Sequence, residues 1–255
     1  MKVTGKTILI TGGASGIGLE AAKQFLDLGA RVIITGRNQQ KLDTAKKRYP
    51  KLTAIKSDAG NAADAALLYE QVKALGGIDI LYNNAAVLVP PSNLGMLSDK
   101  HAEGAAYEME VNYVGVIRLN NLFLGMLQSR KEAAIINTTS ILSLAPSLIE
   151  ATYSSSKTAL AFYTRSLREH LKIIGGNVKI IELIPPLVAT EMTADRNDKK
   201  ISAEDMVKGL IDGLLKEHDT IRVGDAKIFN LLNRFFPKFA FGMVNPKKSH
   251  ELLRN

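Results

Sequence analysis

The pentapeptide YSSSK, residues 153 to 157, sets a phenol and an ammonium group four positions apart with only serines between them. In a helix that spacing brings Tyr153 and Lys157 to one face, one turn apart. Such a pair is either a solvated coincidence or a proton donor beside the charge that tunes it. A free phenol, with its pKa near 10, is too weakly ionised to act as a base at neutral pH. A cation one turn away favours the phenolate and lowers that value, so the pair is suited to acid–base work.

A second group of residues suits a phosphate. TGGASGIG, which carries Gly12, Gly16 and Gly18, stands between a β-rich run and a helical pattern. Glycines there permit a sharp turn, close approach of a pyrophosphate to the main chain and tight helix–strand packing, while the helix N-terminus offers unpaired N–H groups. The spacing is G-x-x-x-G-x-G, one residue different from the more familiar G-x-G-x-x-G. The next strand closes on TGRN, residues 35 to 38, where a site for NADH would want a carboxylate on the adenosine ribose. Gly36 is neutral and Arg37 basic, and an arginine fork suits a 2′-phosphate. The expectation is NADPH/NADP+ in preference to NADH, with an ordinary exposed loop arginine as the alternative for Arg37.

These residues need a scaffold, and the chain supplies alternating elements. Apolar runs at 7 to 11, 31 to 35, 52 to 57, 78 to 83, 133 to 139 and 178 to 184 are each followed by helical periodicity, as in Ala21, Ala22, Phe25, Leu26 and Leu28. Repeated βα units imply a parallel sheet with right-handed crossovers and helices on both faces. Continuous apolarity within the runs agrees, because both faces of such a sheet are buried. The fold class expected is α/β, a Rossmann-type doubly wound sheet of about seven strands in three layers. Residues 186 to 200 are irregular and too long for an ordinary connection, which suggests a substrate loop. The segment 228 to 244, rich in Phe and Leu, reads as a packed helix or subunit contact, with a membrane-surface element as the lesser alternative.

Composition sets the limits. A chain of 255 residues, 46% hydrophobic and 23% charged, can bury one large core, and one domain over 1 to 255 is expected. No run reaches membrane-spanning length and the first strand starts at Thr7, which points to a soluble, cytoplasmic protein without a signal peptide. Zero cysteines exclude disulfides and thiolate sites, and His101, His170, His218 and His250 are too dispersed to suggest a metal cluster. The net charge of +8 is scattered, with no aromatic–basic interleaving, so a basic solvated surface is expected rather than a nucleic-acid partner.

Taken in order, the glycine turn, NNAA at 83 to 86, Asn112 within VNYVG, NTTS ending at Ser140 and YSSSK make the chain resemble the short-chain dehydrogenase/reductase family over essentially its whole length. The tail after residue 203, with RVGDAKIF and FFPKFAFGMVN and ending in an extension near 226 to 255, is similar to a branch of bacterial DltE-like oxidoreductases. By this resemblance Asn112, Ser140, Tyr153 and Lys157 form a catalytic tetrad for reduction of a carbonyl compound or oxidation of an alcohol. Tyr153 would donate the proton and Ser140 hold the substrate oxygen. Lys157, with the positive ring of the oxidised cofactor, would lower the phenol pKa and bind the nicotinamide ribose. Asn112 would hold a relay water, a core hydrogen bond being its alternative. Such chemistry needs a positioned acid and a second donor where negative charge develops on oxygen.

Cofactor contacts implied by the resemblance are Gly12, Ser15, Gly16, Ile17, Gly18, Arg37, Asn38, Asp58, Asn84, Ala85, Tyr153, Lys157, Pro185, Val188 and Thr190. The chain departs from the family pattern at Ala86, where glycine is usual, and at Pro186, where the family has PG. Around the substrate the fold would place Val87, Leu88, Ile141, Leu142, Leu144, Leu187 and Met192, an apolar wall that favours a hydrophobic ketone, aldehyde or secondary alcohol. A homodimer or homotetramer is what the family implies. A competing reading, a non-catalytic NADPH-binding scaffold that docks through its Phe-rich tail, is opposed by the intact set of reactive side chains. An epimerase or dehydratase is opposed by the lack of a large C-terminal substrate domain.

Overall fold

Successive residues of a strand point to opposite faces of a sheet, so Ile8 and Ile10 bury against one layer of helices and Leu9 against the other. That division runs through the whole molecule. The structure, a computed structural model, describes residues 1–196 and 198–254. Seven strands, β1 (Thr7–Ile10), β2 (Arg31–Gly36), β3 (Thr53–Lys56), β4 (Ile80–Asn83), β5 (Ala133–Thr138), β6 (Val178–Ile184) and β7 (Thr220–Arg222), form one parallel sheet in the order β3-β2-β1-β4-β5-β6-β7. Helices α1 (Gly16–Asp27), α2 (Gln39–Arg48) and α7 (Ala203–Leu215) send Phe25, Leu42 and Leu210 into one face. Opposite them, α3 (Ala62–Ala74), α5 (Gly115–Gln128) and α6 (Ala151–Ile173) bury Leu68, Phe123 and Leu171. The result is the expected three-layer Rossmann-type fold. Six of its strands coincide with the apolar runs, whereas β7 has only three residues and no run to announce it.

Strand order reverses between β1 and β4, and the carboxyl ends of the strands there leave a crevice. Several local features place chemistry around it. Asn38 caps α2 by accepting a hydrogen bond from the Lys41 N–H at 3.0 Å. Helix α4 (Lys100–Met109) runs on into α5 through a π-helical turn, Glu110–Val114, which contains the buried Asn112. Such wide turns are frequent at functional sites.

The loop expected at 186 to 200 is a closed excursion. Val188 and Ile201 form a parallel bridge, with Ala189 N–H donating to the Ile201 carbonyl at 2.9 Å and Ile201 N–H to the Leu187 carbonyl at 3.0 Å. A short 3-10 turn, Glu191–Thr193, lies within it. The tail forms α8 (Ala226–Phe235) and α9 (Pro237–Val244), packed against the body along one side only. Phe229 and Ala240 are buried in a small cluster with Ala145, but Ile228, Leu231, Phe235, Phe236 and Phe239 are exposed. The amphipathic pattern predicts one buried stripe, and Phe229 and Ala240 supply it. Leu144, expected on the substrate wall, packs in this tail cluster instead. Among the described residues no helix is long and apolar enough to cross a membrane, and no group of three or more His, Asp or Glu could hold a metal ion.

Candidate active site

One cavity of about 820 Å³ opens above the carboxyl ends of the strands, a size suited to a cofactor-sized ligand. At one end it is built from backbone. Gly12 has φ +64° and a Cβ there would meet the Ala85 Cα at 2.9 Å, so only glycine fits this turn. A Cβ on Gly18 would lie 2.3 Å from the Gly12 carbonyl oxygen, which keeps α1 pressed against the strand. Asn84 braces the same turn, donating from its side chain to the carbonyls of Thr11 at 3.0 Å and Gly12 at 3.3 Å. Ser15 makes no side-chain capping bond at the start of α1. The first N–H groups of that helix therefore stand free for an anion, and this end fits the pyrophosphate of a dinucleotide.

Ser15, Gly16, Ile17, Asp58, Asn84, Ala85, Pro185, Val188 and Thr190 all line the cavity, as do Gly12, Arg37 and Asn38. Gly18 lies behind the wall. Arg37 sits at the exposed rim, where it donates a hydrogen bond to the Tyr107 hydroxyl and lies 6.0 Å from the centre of that ring. Asp58 is occupied with its own turn, accepting the Gly60 N–H at 2.9 Å. Lys41 joins the rim beside Arg37, paired to Glu191 at 2.6 Å. Sequence reasoning missed Lys41, although its place one turn after Arg37 was a usable signal.

At the other end stand the side chains. Ser140, Tyr153 and Lys157 all line the cavity, which brings three of the four expected reactive groups together. Ser140 accepts the Leu142 N–H at 3.1 Å, so its own proton is free to be donated. Lys157 is buried, donates to the Thr138 carbonyl at 2.9 Å and sits 5.6 Å from the centre of the Tyr153 ring. Burial lowers its pKa to about 8, which leaves it mainly charged at neutral pH.

Tyr153 lines the cavity beside Lys157. Its pKa is raised, first by burial and then by the carboxylates of Glu150 and Glu108, with the Arg196 guanidinium opposing them. In the free protein the Lys157 ammonium is directed to the Thr138 carbonyl and lies over the Tyr153 ring. Tyr153 keeps part of its surface open to the cavity, which moderates the effect of burial.

Asn112 does not reach the cavity wall. Its side-chain oxygen accepts the Val87 N–H at 2.8 Å, and its amide donates to the Val87 carbonyl at 2.9 Å and the Ser156 hydroxyl at 3.1 Å. Buried Glu108 accepts the neighbouring Val89 N–H at 2.9 Å. Together they pin the strand-like wall that carries Val87 and Leu88.

The remaining wall is apolar where expected, with Val87, Leu88, Ile141, Leu142, Leu187 and Met192, and the tail adds Met243 and Val244. It also has a polar corner that the sequence did not disclose. Ser147, Glu150 and Arg196 meet there, Glu150 and Arg196 as an ion pair and Ser147 with a buried hydroxyl that has no hydrogen-bond partner among the described residues. Forty-six positions separate the ion-pair partners in the chain, beyond the reach of any local pattern.

A doubly wound parallel sheet with a glycine turn at its switch point, and a Tyr–Lys pair facing a Ser across the same cavity, defines an oxidoreductase built for a nicotinamide cofactor. The family model described as short chain dehydrogenase matches residues 6–201, and the chain belongs to that family as an NAD(P)-dependent short-chain dehydrogenase/reductase. It is 34% identical over 221 residues to the uncharacterized oxidoreductase DltE of Bacillus subtilis, covering 84% of this chain and 86% of the relative. To the uncharacterized oxidoreductase YvrD of the same organism it is 33% identical over 192 residues, 74% of this chain and 71% of the relative. A short chain dehydrogenase from Burkholderia cenocepacia in complex with NADP superposes with a TM-score of 0.84 at 26% identity, over 96% of this chain and 99% of the other. A short-chain dehydrogenase/reductase from Burkholderia phymatum in complex with NAD shares the fold, with a TM-score of 0.82 at 22% identity over 94% and 96% of the two chains.

Proposed function

We propose that this chain is an NADPH-dependent carbonyl reductase, reversible as an alcohol dehydrogenase, acting on a mainly apolar ketone, aldehyde or secondary alcohol. The observation that carries the reading is the meeting of Ser140, Tyr153 and Lys157 on one cavity whose far rim is basic. A bound nicotinamide supplies or accepts the hydride. The chain's own residues do the rest. Ser140, with its proton unengaged, donates to the substrate oxygen, and Tyr153 delivers the proton that completes the alcohol. With its pKa raised, Tyr153 is in its protonated, donor form in the free protein. Lys157 keeps a buried cation next to that phenol, and its remaining N–H groups are available to a ribose hydroxyl. Asn112 acts as a positioning residue that fixes Val87 and thereby the wall over the substrate, in place of direct contact with it.

Arg37 and Lys41 form the rim that a 2′-phosphate would meet, and no carboxylate follows β2 to repel it. The apolar wall supports a hydrophobic substrate, and the Ser147–Glu150–Arg196 corner supports one carrying a polar group at its far end. The chain works in this reading as one nucleotide-binding domain over 1–255, with the loop near 186–200 and the tail shaping the substrate side. A cytoplasmic location is supported by the intracellular supply of the cofactor. Membership of the family supports a homodimer or homotetramer.

The test is a panel of carbonyl compounds followed by NADPH absorbance, run beside NADH, with wild type and Tyr153→Phe. The variant should lose roughly 10²- to 10⁴-fold in rate while still binding cofactor. Near wild-type reduction by the variant rejects Tyr153 as the acid, and a clear NADH preference rejects the cofactor assignment.

A further inference from the structure

Helix α8 carries Ile228, Leu231 and Phe235 at spacings of three and four, one stripe of a helix, and all three are exposed, Ile228 and Phe235 at 62% each. Phe236 and Phe239 extend the stripe past the Pro237 break into α9, and Phe239 is 61% exposed. Lone apolar side chains on a surface need no explanation, but contiguous aromatic ones mark a contact. The charges beside the stripe are of one sign. Between Ala226 and His250 there is no Asp or Glu, while Lys227, Arg234, Lys238, Lys247 and Lys248 all fall there. Only Lys248 has an ion-pair partner among the described residues, Asp198. On the helical wheel Lys227 and Arg234 lie within about 20° of each other, along one flank of the apolar stripe.

We propose that the α8–α9 face is a docking surface for an anionic lipid bilayer, with Phe235, Phe236 and Phe239 entering the headgroup boundary and Lys227, Arg234 and Lys238 meeting the lipid phosphates. An amphipathic helix with aromatic and aliphatic residues on one side and unpaired cations along its flank has the composition that lies in such an interface. Charge decides between occupants. A second copy applied across a twofold axis that crosses α8 would bring the same cationic flank against itself, with no acidic residue between Ala226 and His250 to relieve it. A phospholipid surface of opposite sign has no such conflict. The face also adjoins the cavity, since Met243 and Val244 of α9 line it, followed by Pro246 and Ser249. Bound in this way, the enzyme would present the mouth of its substrate cavity to the bilayer surface. Docking is separate from catalysis, and each can fail without the other.

The experiment is sedimentation of the full chain with large vesicles of equal parts phosphatidylglycerol and phosphatidylcholine, beside vesicles of phosphatidylcholine alone. Two double variants are compared, Phe235→Ser with Phe239→Ser, and Arg234→Glu with Lys238→Glu, each checked for fold by circular dichroism and thermal midpoint. The expected result is binding to the anionic vesicles at least about tenfold above the neutral ones, reduced by a similar factor in both variants. Wild type that stays in the supernatant with anionic vesicles overturns the proposal, as does binding that both variants retain. A dimer in analytical ultracentrifugation that the Phe variant converts to monomer, without vesicle binding, overturns it in favour of a second copy.

Discussion

The two ends of the cavity are made of different materials. Around Gly12 and Gly18 the surface is main chain, held by steric limits that admit no side chain and by the amide of Asn84. Around Ser147, Glu150 and Arg196 it is side chain, held by an ion pair between a helix start and a loop. The first end can vary little, because a single added carbon collides with backbone. The second rests on side chains that can be exchanged without a clash against backbone, although Glu150 and Arg196 also bear on Tyr153.

Substitutions at each end measure the contrast, and the largest loss belongs to the glycine turn. Gly18→Ala should weaken cofactor binding by about 100-fold or more and destabilise the fold by about 1–3 kcal/mol, because its Cβ has nowhere to go. Fluorescence titration with NADPH, paired with a thermal melt, checks both. An alanine accepted there without loss would erase the distinction between the two ends. If the proposed cofactor assignment holds, Arg37→Ala removes one charged partner of the 2′-phosphate and should cost roughly 10- to 100-fold in NADPH affinity while leaving NADH nearly unchanged. An equal effect on both cofactors would return Arg37 to the surface.

Lys157 lies between the two ends and can be probed by pH alone. Its folded-state pKa of about 8 is below its ordinary value of 10.5, so from about pH 8 to 10.5 the unfolded chain binds more protons than the folded one. This group's contribution to stability therefore rises with pH across that window, by at most about 1.4 kcal/mol per pH unit. Above about pH 10 the raised pKa of Tyr153 works in the opposite sense. Urea unfolding of the cofactor-free protein at pH 8 and pH 9.5 should show a gain that Lys157→Met lacks. The same slope in both proteins would assign the titration elsewhere. Arg196→Ala should have the smallest effect, under about tenfold, expressed in KM for substrates with a polar end and absent for purely apolar ones. A uniform fall in kcat would instead place Arg196 in the chemistry.

Legibility in the sequence follows the same division. The glycine turn, six strands and the Tyr153–Lys157 spacing were readable because each obeys a local rule of period or sterics. Ser140 needed the family pattern to be placed opposite them. The Glu150–Arg196 corner and the hold of Glu108 on Val89 are products of tertiary folding, and no window of sequence contains both partners. Asn112 was found at its position but is engaged with Val87, because the π-helical turn aims its amide at that wall. The tail was only half legible for a different reason. Amphipathic spacing identifies a helix with two faces and does not say how many of its apolar residues the core will take.

The bridge between Val188 and Ile201 bears on engineering. The excursion leaves and rejoins the body at this paired point, and Glu191, Arg196 and Asp198 tie its interior to Lys41, Glu150 and Lys248, so a replacement segment must match those partners as well as the bridge. A graft of the corresponding segment from a relative, cut at Val188 and Ile201 and matched in this way, would carry new selectivity into this scaffold without disturbing the strands beneath.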